Sequence, residues 1–327
     1  MGLARDKAVR KMAVVGRCRP GMAQLTSSLL MIRPLAFGFD VETAADNVFQ
    51  HQAKSMDAPS VAAKAREEFD NFVSCLRSKS ISVKVVEDTT GGPDACFPNN
   101  WFSCHAEERK VVVYPMMAKT RRVERRWDIL EDIAGSNKWE TLDLSHYEKE
   151  NKFLEGTGSM VLDRVNKIAY TSLSQRTHQD VLDVFCSKLG YQPVVFRAEF
   201  VLNGKTYPLY HTNVVMSVGS AVATVCLDAI KDPEHKKAVV RSLESTGKEV
   251  LPITEEQMSK FAGNVLEVCN QEGQSIVVMS SQAHSSLQPN QLEKLQQHST
   301  LLHTPLPTIE ALGGGSARCM IAELHDK

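Results

Sequence analysis

Residues 101–144 read WFSCHAEERKVVVYPMMAKTRRVERRWDILEDIAGSNKWETLDL. Two short apolar runs, 101–105 and 110–116, flank the polar turn 106–109 and predict a β-hairpin. The charged stretch 121–134 follows, with Ile129, Leu130 and Ile133 spaced for one helical face. A short strand at 141–144 completes a strand–turn–strand–helix–strand unit.

The same order returns three times downstream. Strands at 159–162 and 168–173 precede a helix at 178–189 and a strand at 194–197. Strands at 214–218 and 221–227 precede a helix at 234–243 and a strand at 250–253. Strands at 265–269 and 275–279 precede a helix at 289–297 and a strand at 300–303. A last strand, 317–324, has no partner in its own segment. The N-terminal run 29–33 can supply one, followed by the helical stretch 42–76, broken at Pro59, and a strand at 81–86. The two chain ends thus build a fifth unit. Five units with a period in the fifties predict an α/β fold, a closed pseudo-symmetric array.

One polar residue stands at the same phase of each unit, just before the first hairpin strand: Asn100, Glu155, His211, Asn264 and Cys319. They are 55, 56, 53 and 55 residues apart. In a closed radial array, equivalent positions converge on the axis. An amide, a carboxylate, an imidazole and a thiol are therefore expected in one cavity.

Composition narrows the function classes. Hydrophobic residues make up 43% and charged residues 24%, enough for a large core with an ordinary surface. A net charge of −1 offers no basic field for nucleic acid or acidic lipid. No apolar run approaches the ~18 residues of a membrane span. The eight cysteines form no CxxC pair, which points to free thiols in a reducing compartment. A substrate must therefore be recognised locally, as a small molecule is, and a homodimer is left open. Residues 1–26 read as an extension ahead of a single catalytic domain, 27–327. Arg5, Lys7, Arg10, Lys11, Arg17 and Arg19 face one acid, Asp6, as in a mitochondrial transit segment. A plain extension explains the same residues, so the cytoplasm is the first expectation and the mitochondrion the second.

Each candidate has a bland alternative. Cys319 follows Gly313-Gly314-Gly315, which permits close backbone approach; alone it would be one more buried thiol. His211 enters an apolar strand, the usual place of a core histidine, but Asn213 lies two residues on and faces the same side, because strand side chains alternate. Two inward polar groups require a polar site. Glu155 sits beside Gly156 and Gly158 and can orient His211 and favour its protonated form. Asn99 and Asn100 can be turn residues. Arg176 can be a surface charge, or a bidentate grip on a carboxylate. No metal-ligand spacing occurs.

Taken in order, FPNNW (97–101), LEGTGS (154–159), SLSQRT (172–177), HTNVVM (211–216) and GGGSARCM (313–320) resemble the guanidino-group-modifying superfamily, and within it the citrulline-utilisation hydrolases related to arginine deiminases. The resemblance runs from Met31 to the C-terminus. It implies a five-bladed propeller of ββαβ units and no cofactor. It also implies roles: Cys319 as nucleophile, His211 as general acid/base, Glu155 as its carboxylate partner and Arg176 as the grip on the substrate carboxylate. Arginine deiminases carry aspartates where this chain has Asn100 and Asn213. Removing charge partners from a buried cation costs roughly 2–5 kcal/mol each, whereas an amide offers a donor and an acceptor. Citrulline is therefore expected over arginine, with ornithine, ammonia and carbon dioxide as products. An amidinotransferase, an arginine deiminase-type or succinylarginine dihydrolase-like hydrolase, and a non-catalytic binder on the same scaffold are the alternatives.

Overall fold

In the computed structural model, which describes residues 24–51, 57–202 and 204–325, the strands fall into five three-stranded sheets of identical construction and one separate hairpin. In each sheet two strands pair antiparallel and a third, reached through a helical segment, adds in parallel. Phe102–His105 and Lys110–Val113 form the first hairpin, and Glu140–Asp143 joins it. Met160–Asp163, Ile168–Ser172 and Gln192–Phe196 repeat the arrangement. So do Met216–Val218, Val222–Val225 and Glu249–Pro252. The fourth comprises Leu266–Cys269, Ser275–Ser280 and Thr300–Thr304.

The fifth sheet joins the two ends of the chain, as the sequence requires. Ser28–Arg33 pairs antiparallel with Ala322–Glu323 and parallel with Ser82–Glu87. Among the described residues the five sheets remain separate, and no single sheet closes on itself. Their first strands touch in series: Met160–Asp163 against Met216–Val218, that strand against Leu266–Cys269, and Ala322–Glu323 against Phe102–His105.

Helices cover the sheets through apolar faces. Ala58–Arg77 starts where Asp57 caps the Ser60 amide and Pro59 occupies the first turn, where a missing N–H is harmless. It buries Ala65, Phe69, Phe72 and Leu76, one side of the helix. Gln179–Leu189 buries Val181, Leu182 and Phe185 and ends at Gly190, whose φ of 72° suits a left-handed cap.

Several expectations change. The stretch 121–134 is two helices, Lys119–Arg122 and Trp127–Asn137, with Arg121 buried rather than on a solvated face. The 42–76 stretch splits into Val41–Ala44 and Ala58–Arg77. The final strand shrinks from 317–324 to Ala322–Glu323, because Cys319, Met320 and Ile321 close tight turns onto the residues three before them. The hairpin of Glu199–Leu202 and Lys205–Pro208 was not foreseen. Gln24, Leu25 and Thr26, expected in the extension, pack on the domain: Gln24 Nε2 donates to the carbonyls of Leu162 and Val218, and Thr26 Oγ1 to that of Leu324. The basic segment and its targeting reading lie in residues 1–23, outside the described residues.

Candidate active site

A helical turn, and not the strand itself, carries most of the phased residues. Asn100 ends the turn Pro98–Asn100, Glu155 precedes Gly156–Ser159, and His211 precedes Thr212–Val215. Asn264 and Cys319 lie in loops ahead of Leu266–Cys269 and Ala322–Glu323. Strand alternation is therefore not what sets Asn213 beside His211: it lies on a helical turn, and that turn aims its amide at Cys319.

All seven predicted residues are at most 3% exposed. The Cys319 sulfur accepts from Asn264 Nδ2 at 3.2 Å and Asn213 Nδ2 at 3.4 Å. Asn264 Nδ2 also donates to the Asn213 carbonyl at 3.1 Å, which fixes its amide orientation, since a carbonyl only accepts. His211 Nε2 stands 2.8 Å from Glu155 Oε2. The sulfur's hydrogen bonds go to the two amides and not to the imidazole. Tyr210, next to His211 in the chain, ties this region to the loop leading to Cys319, its hydroxyl donating to the Gly314 carbonyl at 2.6 Å.

Glycines make room for this packing. A Cβ on Gly158 would lie 2.4 Å from Asn100 Nδ2 and 2.8 Å from His211 Nδ1, so that point separates the amide from the imidazole. Gly156, at φ 48°, lies against the Asn99 and Asn100 carbonyls, where a Cβ would come within 2.3 Å of backbone.

Electrostatics assign the protons. Burial alone would raise the Glu155 carboxyl, yet Arg176, the His211 hydrogen bond and Arg121 hold it down at about 2. Burial lowers His211 from its ordinary 6.5, and this outweighs the opposing pull of Glu155. Glu155 does favour the protonated imidazole, but burial sets the net direction. The neutral ring donates Nε2–H to the carboxylate and leaves Nδ1 as a base facing the Gly158 side.

Arg176 differs from its expected role. Its Nε bonds Asp46 Oδ2 at 2.9 Å, its Nη2 donates to the Thr43 carbonyl at 2.8 Å, and its Nη1 stands 3.5 Å from Glu155. The guanidinium also lies over the Tyr210 ring at 4.9 Å. It is a buried tie between Glu155 and Asp46, with no free fork.

Sequence reasoning missed Arg121. Its Nη1 donates to Asn100 Oδ1 at 2.7 Å, and its Nε and Nη2 pair with Glu124 at 3.0 and 2.9 Å. Within the run KTRRVERR nothing distinguishes this arginine from its solvated neighbours. Several buried atoms here have no hydrogen-bond partner among the described residues: the donors Asn100 Nδ2 and Trp101 Nε1, and the acceptors Asp94 Oδ1, Asn213 Oδ1 and Asn264 Oδ1. Unpaired buried polar atoms are costly unless a ligand or water meets them.

Comparison with known proteins follows the same lines. A family model described as N,N dimethylarginine dimethylhydrolase, eukaryotic, matches residues 33–326. A comparison with curated protein sequences finds no match. Among solved structures, apo ArgZ, an arginine dihydrolase from the ornithine–ammonia cycle in cyanobacteria, superposes with a TM-score of 0.70 at 18% identity. That match covers 91% of this chain and 40% of ArgZ. The substrate-bound N-terminal domain of ArgZ gives 0.70 at 17% identity, covering 91% of this chain and 97% of that domain. A mutant of DDAH from Pseudomonas aeruginosa, complexed with citrulline, gives 0.62 at 16% identity, covering 91% of this chain and 98% of that one. The chain thus spans less than half of full-length ArgZ, and these likenesses concern the fold. The family match spans nearly the whole chain, and with it the chain belongs to the eukaryotic N,N dimethylarginine dimethylhydrolase family, hydrolases acting on C–N bonds.

Proposed function

We propose that the protein hydrolyses the ureido group of a citrulline-like amino acid, with Cys319 as nucleophile, His211 as acid and base, and Glu155 as the carboxylate that orients it. The five sheets are read as blades around an axis on which these residues meet. The observation that carries the substrate is the polarity of the unpartnered amides. Asn100 offers a donor, Nδ2, while Asn213 and Asn264 offer acceptors. A ureido group has a carbonyl oxygen for the first and N–H groups for the others; a guanidinium has donors only.

The chemistry balances without a cofactor. Cys319 passes its proton to His211 Nδ1 as the sulfur bonds to the ureido carbon. The bond from that carbon to the ornithine nitrogen breaks, and the nitrogen takes the proton from His211. Ornithine leaves, and a carbamoyl group stays on sulfur. Water then gives a proton to His211 and its oxygen to the carbonyl carbon; the C–S bond breaks and the thiol recovers the proton. The carbamic acid released falls to ammonia and carbon dioxide.

A guanidino substrate is the second reading. The family description favours it, and so does Asp94, a buried carboxyl with a free Oδ1 that burial pushes up to about 6. An assay of ornithine, citrulline, ammonia and dimethylamine release from citrulline, arginine and dimethylarginine decides. Faster turnover of citrulline supports the ureido reading, and turnover of the guanidino compounds alone overturns it. Ornithine release without an added amine separates hydrolysis from amidino transfer.

A further inference from the structure

We propose that Arg121 is a positioning residue that sets substrate choice by locking the orientation of the Asn100 amide. The proposal rests on the ureido reading and adds its structural cause. Arg121 is 2% exposed, and its hydrogen bonds go to protein: the Glu124 carboxylate, the carbonyls of Asp94 and Phe97, and Asn100 Oδ1. A guanidinium only donates. Asn100 must therefore turn its oxygen to Arg121, and its Nδ2 must face the other way, toward the point beside Gly158 that it shares with His211 Nδ1. The flipped amide would set N–H against N–H in a buried place and lose the 2.7 Å bond. A side chain able to take either role becomes a pure donor at the site, which suits a carbonyl oxygen and rejects an all-donor guanidinium.

The bonding of each Arg121 nitrogen to protein also separates this role from direct substrate contact. With Nε, Nη1 and Nη2 all bonded to protein, it acts on the substrate through Asn100.

The test is the ratio of kcat/KM for citrulline to that for arginine. In Arg121→Gln the side chain at 121 can donate or accept, so Asn100 is free to flip, and the ratio should fall at least tenfold. Asn100→Asp, which keeps Arg121 but turns an acceptor to the site, should move the ratio in the same direction. Arg121→Lys keeps a donor-only partner and should hold the ratio, including where Arg121→Gln fails to fold. Equal loss on both substrates in Arg121→Gln would show a merely structural role and overturn the proposal, as would a tenfold swing in Arg121→Lys. If the wild type turns over neither compound, the ureido reading fails by itself. The lock is then read from the Asn100 side-chain amide in a nitrogen-15 spectrum, assigned by its loss in Asn100→Asp. One sharp proton pair that broadens or splits in Arg121→Gln supports it; an unchanged pair refutes it.

Discussion

Within the site, the ionised Glu155 accepts the Nε2 proton of His211, so the ring presents Nδ1 as its basic atom. His211→Ala should lower kcat/KM by roughly 10²–10⁴-fold, the span of a lost acid/base group, and Glu155→Gln should fall in the same range by loosening the ring and its tautomer. Because burial lowers His211 below its ordinary 6.5, the unprotonated base persists below that pH. The acid limb of kcat/KM should therefore bend below 6.5, and an inflection above it would mean that Glu155 dominates over burial. The sign for stability follows from linkage. Below 6.5 the unfolded imidazole takes up a proton that the folded one resists, so this group's contribution weakens the fold as pH falls through that range. These residues could be singled out in the sequence because their phase, near 55, survives any error in local structure. Arg121 was not legible: its burial depends on the return of the loop Asp94–Phe97, whose carbonyls it binds, and no local pattern records that contact.

Among the elements, the short helical turns ahead of the hairpins do the positioning, and glycine lets them approach. Gly158→Ala would drive a methyl between Asn100 Nδ2 and the His211 ring, at 2.4 and 2.8 Å. A displacement of this kind should reduce kcat by roughly 100-fold, with the far-ultraviolet circular dichroism unchanged; a fully active variant would mean that the two groups need not adjoin. These turns also explain where sequence reading lost its footing. Hydrophobic runs such as 214–218 look extended throughout, yet Thr212–Val215 coils and only Met216–Val218 enters the sheet. A three- or four-residue helix is too short for a period to declare itself. Two longer helices read well, Gln179–Leu189 for the expected 178–189 and Pro233–Ser245 for the expected 234–243, whereas 42–76 and 121–134 each split in two.

For the whole molecule, one strand pairing ties the N-terminal segment to the C-terminal one, Leu29 with Glu323 and Leu30 with Ala322. The site residue Cys319 stands three positions before that short strand. Truncation after Ile321 should therefore lower the thermal midpoint by roughly 5 °C or more and abolish turnover together, whereas loss of activity with an unchanged midpoint would separate the closure from the fold. The fivefold repetition was legible because each unit buries its own hairpin and helix. The hairpin of Glu199–Leu202 and Lys205–Pro208 was not, since Lys205–Pro208 is largely solvated and leaves no buried alternating face to read. All of this serves one sulfur. Acid quenching during turnover of citrulline, followed by peptide mass spectrometry, tests that claim most directly. The account predicts a substrate-derived carbamoyl adduct on the Cys319 peptide, absent from Cys319→Ala and accumulating when His211 is replaced in a way that slows hydrolysis more than attack. An adduct on another cysteine, or full turnover by Cys319→Ala, would contradict it.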